Sequence, residues 1–171
     1  MPTNQAPFPP LLRQTNQLPY SYAEGDGIDY EPLDAFMSVE ETAEWFHAWT
    51  GNPNADASKL KVFGQDGSGG YAALWLVRDT DELLKQPIVF LGSEGEITVV
   101  ARDFYDYLWL LATGIGPCEA TLLSEMPRMT QPELELHARR NAGAFRSVAD
   151  VLRDAKTDFP GFEKFVESQC R

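Results

Sequence analysis

The sequence is short of cations. Fourteen Lys and Arg stand against 26 Asp and Glu, a formal charge of −12. That balance argues against a nucleic-acid partner, because phosphate is neutralised by Lys and Arg. It argues against an anionic membrane surface for the same reason. Cysteine is scarce as well: Cys118 and Cys170 are the only two. Two thiols make no disulfide framework, so a reduced, cytoplasmic protein is expected. No N-x-S/T sequon occurs, which agrees. The two histidines, His47 and His137, each lack a second His or Cys three or four residues away. No metal site and no cofactor are therefore expected. No apolar run approaches the ~20 residues needed to span a bilayer. The first residues lack the basic start and apolar stretch of a secretory leader, so none is expected.

What is present points to a single globular domain. A chain of 171 residues with 43% hydrophobic and 23% charged residues can bury a full core. Its charge is segregated. Residues 1–120 hold 18 acids and 6 bases, whereas residues 121–171 hold eight of each. Residues 24–44 alone contain eight acids and no base. Solubility explains such a surface without further function; a basic protein partner explains it equally well.

The expected class is α+β, a central, mostly antiparallel sheet flanked by helices from both ends of the chain. Residues 1–20, with their prolines, read as an extended arm. Ser38 and Glu41 form a capping box for a helix whose inner face is expected to carry Val39, Ala43 and Phe46. Residues 60–63 and 71–77 read as strands. The second is apolar on both faces and so should be covered on both sides. Residues 88–91 and 97–101 flank the turn residues GSEG, a hairpin signature. Asp103 caps a helix lined by Phe104, Leu108 and Leu111. Further helices are expected from about Pro132, over 148–156 and after Pro160. Residues 120–171 thus read as a helical extension packed on the core.

The segment FGQDGSGG (63–70) raises the question of phosphate binding. A phosphate loop presents converging N–H groups at the start of a helix, and a P-loop adds Lys-Ser/Thr. Here the glycines lead into a strand, no lysine follows before Lys85, and Asp66 supplies the wrong charge. The segment is expected only to turn the chain.

At this point a resemblance enters. FGQDGSGGYAALWLV, QPIVFLGSEGEITVVA and DFYDYLWLLATGIGP resemble the core of the SUKH superfamily, over about residues 60–117. That superfamily includes yeast cell-wall-assembly regulators and bacterial immunity proteins. The resemblance implies a sheet flanked by helices. It also implies a protein that binds and neutralises a toxin, often a nuclease. It carries no catalytic signature.

The residues themselves offer several weaker constellations. Asp26, Asp29, Glu31 and Asp34 could be read as catalytic carboxylates or a calcium loop. They lie in a polar stretch without the D-x-D-x-D-G order, so solvated acids are the plainer reading. His47 with a carboxylate would make a hydrolase pair only if a pocket brings them together. Cys118 reads as an unreactive thiol, and Ser68 and Ser93 lack the G-x-S-x-G context. Trp75 and Trp109 are expected in the core. Tyr20, Tyr22 and Tyr30 lie beside the acidic stretch and are candidate interface residues, with Tyr22 and Tyr30 as the anchors for a partner. The resulting expectation is a non-catalytic binding protein. Its contacts would be Asp26, Asp29, Glu31, Asp34, Asp66 and Glu94 with Tyr22 and Tyr30, and its partner a basic toxin domain. A regulatory scaffold or small-ligand sensor of the same fold is the alternative.

Overall fold

The computed structural model describes residues 7–122 and 129–171. The mid-chain apolar runs form one five-stranded sheet: β1 (Glu31–Pro32), β2 (Leu60–Gln65), β3 (Tyr71–Trp75), β4 (Ile88–Leu91) and β5 (Ile97–Ala101). The strands lie in chain order and each neighbouring pair is antiparallel. Among the described residues seven α-helices surround them: α1 (Pro10–Asn16), α2 (Val39–Thr50), α3 (Phe104–Ala112), α4 (Pro117–Leu122), α5 (Pro132–Asn141), α6 (Val148–Asp158) and α7 (Phe162–Gln169). None of the described helices is long and apolar enough to cross a membrane.

Side-chain alternation explains why β3 and β4 are apolar throughout. Ala72, Leu74, Ile88, Phe90 and Val100 face one core, shared with Leu12 of α1, Leu108 of α3 and Leu134 of α5. Ala73, Trp75, Val89, Leu91 and Val99 face a second core, shared with Phe46 of α2 and Phe162 and Val166 of α7. The sheet is thus the middle of three layers, and helix α6 closes it by sending Val151 to the first core and Ala155 to the second. Trp75 anchors the second core, with the rings of Phe162 and Phe165 centred 5.0 and 5.7 Å away. Burying a large aromatic of this kind stabilises by about 3 kcal/mol or more. Trp75 and Trp109 are both buried, as expected.

Local signals account for most boundaries. Ser38 and Glu41 complete the capping box of α2, and Gly51 ends that helix in the left-handed conformation. Asp103 caps α3 and Ser147 caps α6. Strand β2 runs two residues further than the sequence indicated, through an irregularity between Val62 and Gly64. Gly64 is required there, because a Cβ would overlap the Tyr30 ring.

Two expectations need correction. The N-terminal arm is not extended over its whole length: Pro10–Asn16 is a helix with Leu12 and Thr15 fully buried. Pro9 and Pro10 stand at the helix start, where a missing N–H costs nothing. Seven residues do not hold a helix alone. Tertiary contacts do so, including Thr15 Oγ1 at 2.9 Å from His137 Nε2. Residues 1–6 of the arm lie outside the described residues. Val39 does not face the core but is 75% exposed; the inner stripe of α2 is Thr42, Phe46 and Thr50. The two threonines sit there because their hydroxyls bond back to Ser38 O and Phe46 O. The short elements β1 and α4 carry too few residues to show in the sequence pattern. The C-terminal helices contribute to both cores, with residues 123–128 outside the described residues.

Candidate functional site

The expected contact residues converge most clearly around one cleft. It has a volume of about 610 Å³ and is lined by Tyr20, Tyr22, Ile28, Asp29, Tyr30, Glu31, Gly67 and Ser68. Helix α1 holds two of its tyrosines in place. Asn16, at the end of that helix, donates from Nδ2 to the carbonyls of Leu33 and Phe63, each at 3.0 Å. Its Oδ1 accepts the Tyr30 hydroxyl at 2.7 Å. Tyr20 donates its hydroxyl to Thr15 O at 2.8 Å, and the two tyrosine rings meet edge to face at 4.9 Å. Burial pushes both phenols well above the ordinary tyrosine range. Neither ionises under physiological conditions.

One wall is a tight loop. Ile28 N–H donates to Ser21 O, and Gly25 and Gly27 N–H both donate to Tyr22 O. Ala23 and Glu24 pay for that closure with left-handed backbone, φ 46° and 54°. The loop leaves the Tyr22 ring 58% exposed. The opposite wall is the glycine-rich turn between β2 and β3. Asp66 Oδ1 accepts from Ser68 N, Ser68 Oγ and Gly70 N at 2.7–2.9 Å, while Gly69 takes φ +95°. The turn is therefore ordered by its own aspartate, as a chain reversal rather than an anion cradle. The β4–β5 hairpin lies alongside, with Ser93 Oγ 3.2 Å from Ser68 Oγ.

Asp29 joins the walls. Its Oδ1 accepts from Gly67 N at 2.9 Å, and its own N–H donates to Glu119 Oε1 at 2.5 Å. Glu119 is buried at the start of α4, and its second oxygen accepts from Gly116 N at 3.0 Å. An oxygen of Asp29, an oxygen of Asp66 and the sulfur of Cys118 all lie within 4.8 Å of one another. Those three donors, 37 and 52 residues apart along the chain, share no spacing that the sequence could reveal. Burial, followed by the charges of Asp66, Glu119 and Asp29, pushes the Cys118 thiol up to about 12.

The structure sorts the expected contacts. Asp29, Glu31, Tyr22 and Tyr30 line the cleft. Glu94 is exposed at the hairpin tip beside it. Asp26 is exposed on the Tyr22 loop, and Asp34 is exposed beyond β1, lining a different depression with Leu33, Ala35, Met37 and Glu41. Asp66 needs correction as a surface contact: it is 4% exposed and committed to its own turn. Tyr30 likewise is a 5% exposed wall tied to Asn16, whereas Tyr22 is the accessible ring. Tyr20, a candidate beside the acidic stretch, also lines the cleft. Ile28, Gly67, Ser68 and Glu119 carry no such signal in the sequence.

The histidines are engaged by the fold. His47 Nε2 lies 3.0 Å from Ala55 O, and His137 Nε2 pairs with Thr15. Neither ring meets a carboxylate among the described hydrogen bonds and ion pairs. Comparison with protein-family models, curated proteins and solved structures returns no match.

Proposed function

We propose that this chain is a non-catalytic, cytoplasmic binding protein that neutralises a basic protein partner by surface complementarity. A toxin domain, such as a nuclease whose basic surface receives its substrate, is the partner class that fits. One observation carries the reading. Every ion pair among the described residues joins groups between Glu82 and Asp154. The acids from Glu24 to Asp66 include the cleft carboxylates, and none of them is within ion-pairing distance of a described base. The exposed acids among them have no internal cation and are available to an external one, and the summed field steers a cationic protein toward them. The SUKH-like segments over residues 60–117 support the same reading, since the immunity proteins of that superfamily work by binding.

Co-expression tests it. The chain is paired in turn with the products of adjacent genes that arrest growth when expressed alone. The expected result is restored growth with one basic product and a stable one-to-one complex. Failure to rescue from every such product, or a cognate partner that is strongly anionic, would sink the proposal.

A further inference from the structure

We propose that the tyrosine–carboxylate cleft is the seat of an arginine side chain projected by the basic partner. This rests on the preceding reading and specifies its anchor point. Four observations lead there.

The two carboxylates at the cleft are half-committed. Asp29 Oδ1 is held by Gly67 N–H at 2.9 Å, and Glu31 Oε2 by Gln65 Nε2 at 2.8 Å. The second oxygen of each accepts no hydrogen bond from a described residue. The fold therefore fixes the position of both groups while leaving one acceptor on each for a ligand. Such preorganised acceptors bind with less ordering cost than mobile surface acids.

Second, no base lines the cleft. Asp66 and Glu119 lie behind it, both buried, and add to its negative field. An anionic ligand is rejected; a cation is drawn in.

Third, the tyrosines offer rings rather than hydroxyls. The Tyr20 and Tyr30 hydroxyls are spent on Thr15 and Asn16. Tyr22, exposed at the rim, supplies an open face. An aromatic face within about 6 Å attracts a cation, and arginine more often than lysine.

Fourth, the chemistry selects a guanidinium. Two acceptors from different side chains beside an aromatic ring suit a planar fork with five donors that also stacks. An ammonium is a point charge and gains little from the ring plane. The volume of about 610 Å³ admits such a side chain with its neighbouring backbone, within the ~300–1,000 Å³ typical of ligand clefts.

The test uses the full chain, isotopically labelled, and three probes: acetyl-Gly-Arg-Gly-amide and its lysine and citrulline counterparts, titrated at low salt by NMR. The expected result is saturable shifts at the Gly67 and Ser68 amides with the arginine peptide. Lysine should bind at least about fivefold more weakly, and neutral citrulline should not bind. The double variant Asp29→Asn with Glu31→Gln keeps the acceptors used by Gly67 and Gln65, so the walls stay in place. It should weaken the arginine peptide about tenfold, and Tyr22→Ala about threefold. Equal binding of lysine, or shifts confined to another part of the acidic surface, overturns the arginine seat and leaves the cationic-partner reading standing. No binding of either cationic peptide anywhere on the chain removes both.

Discussion

Cys118 stands among three carboxylates, and its chemistry follows from that neighbourhood. A thiol reacts as thiolate, and each neighbouring negative charge makes the thiolate harder to form. With its titration raised to about 12, only about one Cys118 in ten thousand is ionised at pH 8. The thiol therefore stays protonated beside the Asp29 and Asp66 carboxylates. Cys170 is exposed near the C-terminus. Iodoacetamide at pH 8, followed by peptide mass mapping, should label Cys170 first and Cys118 at least about 100-fold more slowly. Denaturation in urea should bring the two rates together. Comparable rates in the folded protein would mean that the carboxylates around Cys118 do not act on it as the geometry requires.

Between elements, the strongest electrostatic tie runs from α3 to α6. Asp106 has Arg102 Nε at 2.7 Å from one oxygen and Arg146 Nε at 3.2 Å from the other. Arg146 also pairs with Asp154, and Arg153 bridges Asp150 and Asp154. Asp106 is nearly buried, yet its Oδ2 and the Arg146 Nε lack an aligned hydrogen bond. Burial, with Asp103 second, consequently raises its pKa above the ordinary 3.8 despite both guanidiniums. The sign follows from linkage. The folded state holds the Asp106 proton longer than the unfolded chain does, so this group's contribution to stability falls as pH rises from 3.8 through the raised value. Asp150 and Asp154 are shifted down, mainly by hydrogen bonds from Arg153 and Arg146 respectively, and lose their contribution as pH falls below 3.8. Comparison with Asp106→Asn isolates the first effect, because the other groups are common to both proteins. In urea unfolding between about pH 3.5 and 7.5, the wild type should lose stability relative to the variant as pH rises, then level off. An opposite slope would show that the arginines outweigh burial.

The same scale shows what the sequence could disclose. Hairpin strands β4 and β5 were legible to the residue, because alternation, length and turn residues agree there. The caps Ser38 and Asp103 were legible because each acts within three residues. Helix α1 was not, since its support comes from His137, on the far side of the chain. The cleft was half legible. Its acids and tyrosines crowd one stretch of sequence, but Gly67, Ser68 and Glu119 reach it only through the turn between β2 and β3 and the placement of α4. The burial of Asp66 could not be read either, because the three donors that satisfy it belong to a turn that exists only once the strands pair.

Across the whole molecule, charge is divided into two regimes. The helices after β5 hold several of their charges in local pairs, while the acids before β3 repel one another with no described base at ion-pairing distance. Asp56 is shifted down chiefly by hydrogen bonds from Ser58, with a smaller pull from a base, Lys59. Self-repulsion of this kind disfavours the compact state. Salt screens both regimes, since the Debye length drops from about 30 Å at 0.01 M to about 3 Å at 1 M. The exposed pairs lose little, because each is worth about 1 kcal/mol or less. A net charge of −12 is spread over distances that lie inside the longer Debye length and outside the shorter one. Relief of repulsion should therefore dominate. Raising NaCl from 10 to 500 mM should raise Tm by about 2–4 °C, the shift that about 1 kcal/mol produces in a domain of this size. Differential scanning calorimetry of the partner-free chain would measure it. A Tm that falls with salt would place the balance in the α3–α6 pairs, and would remove the unanswered acidic surface on which recognition of a cationic partner depends.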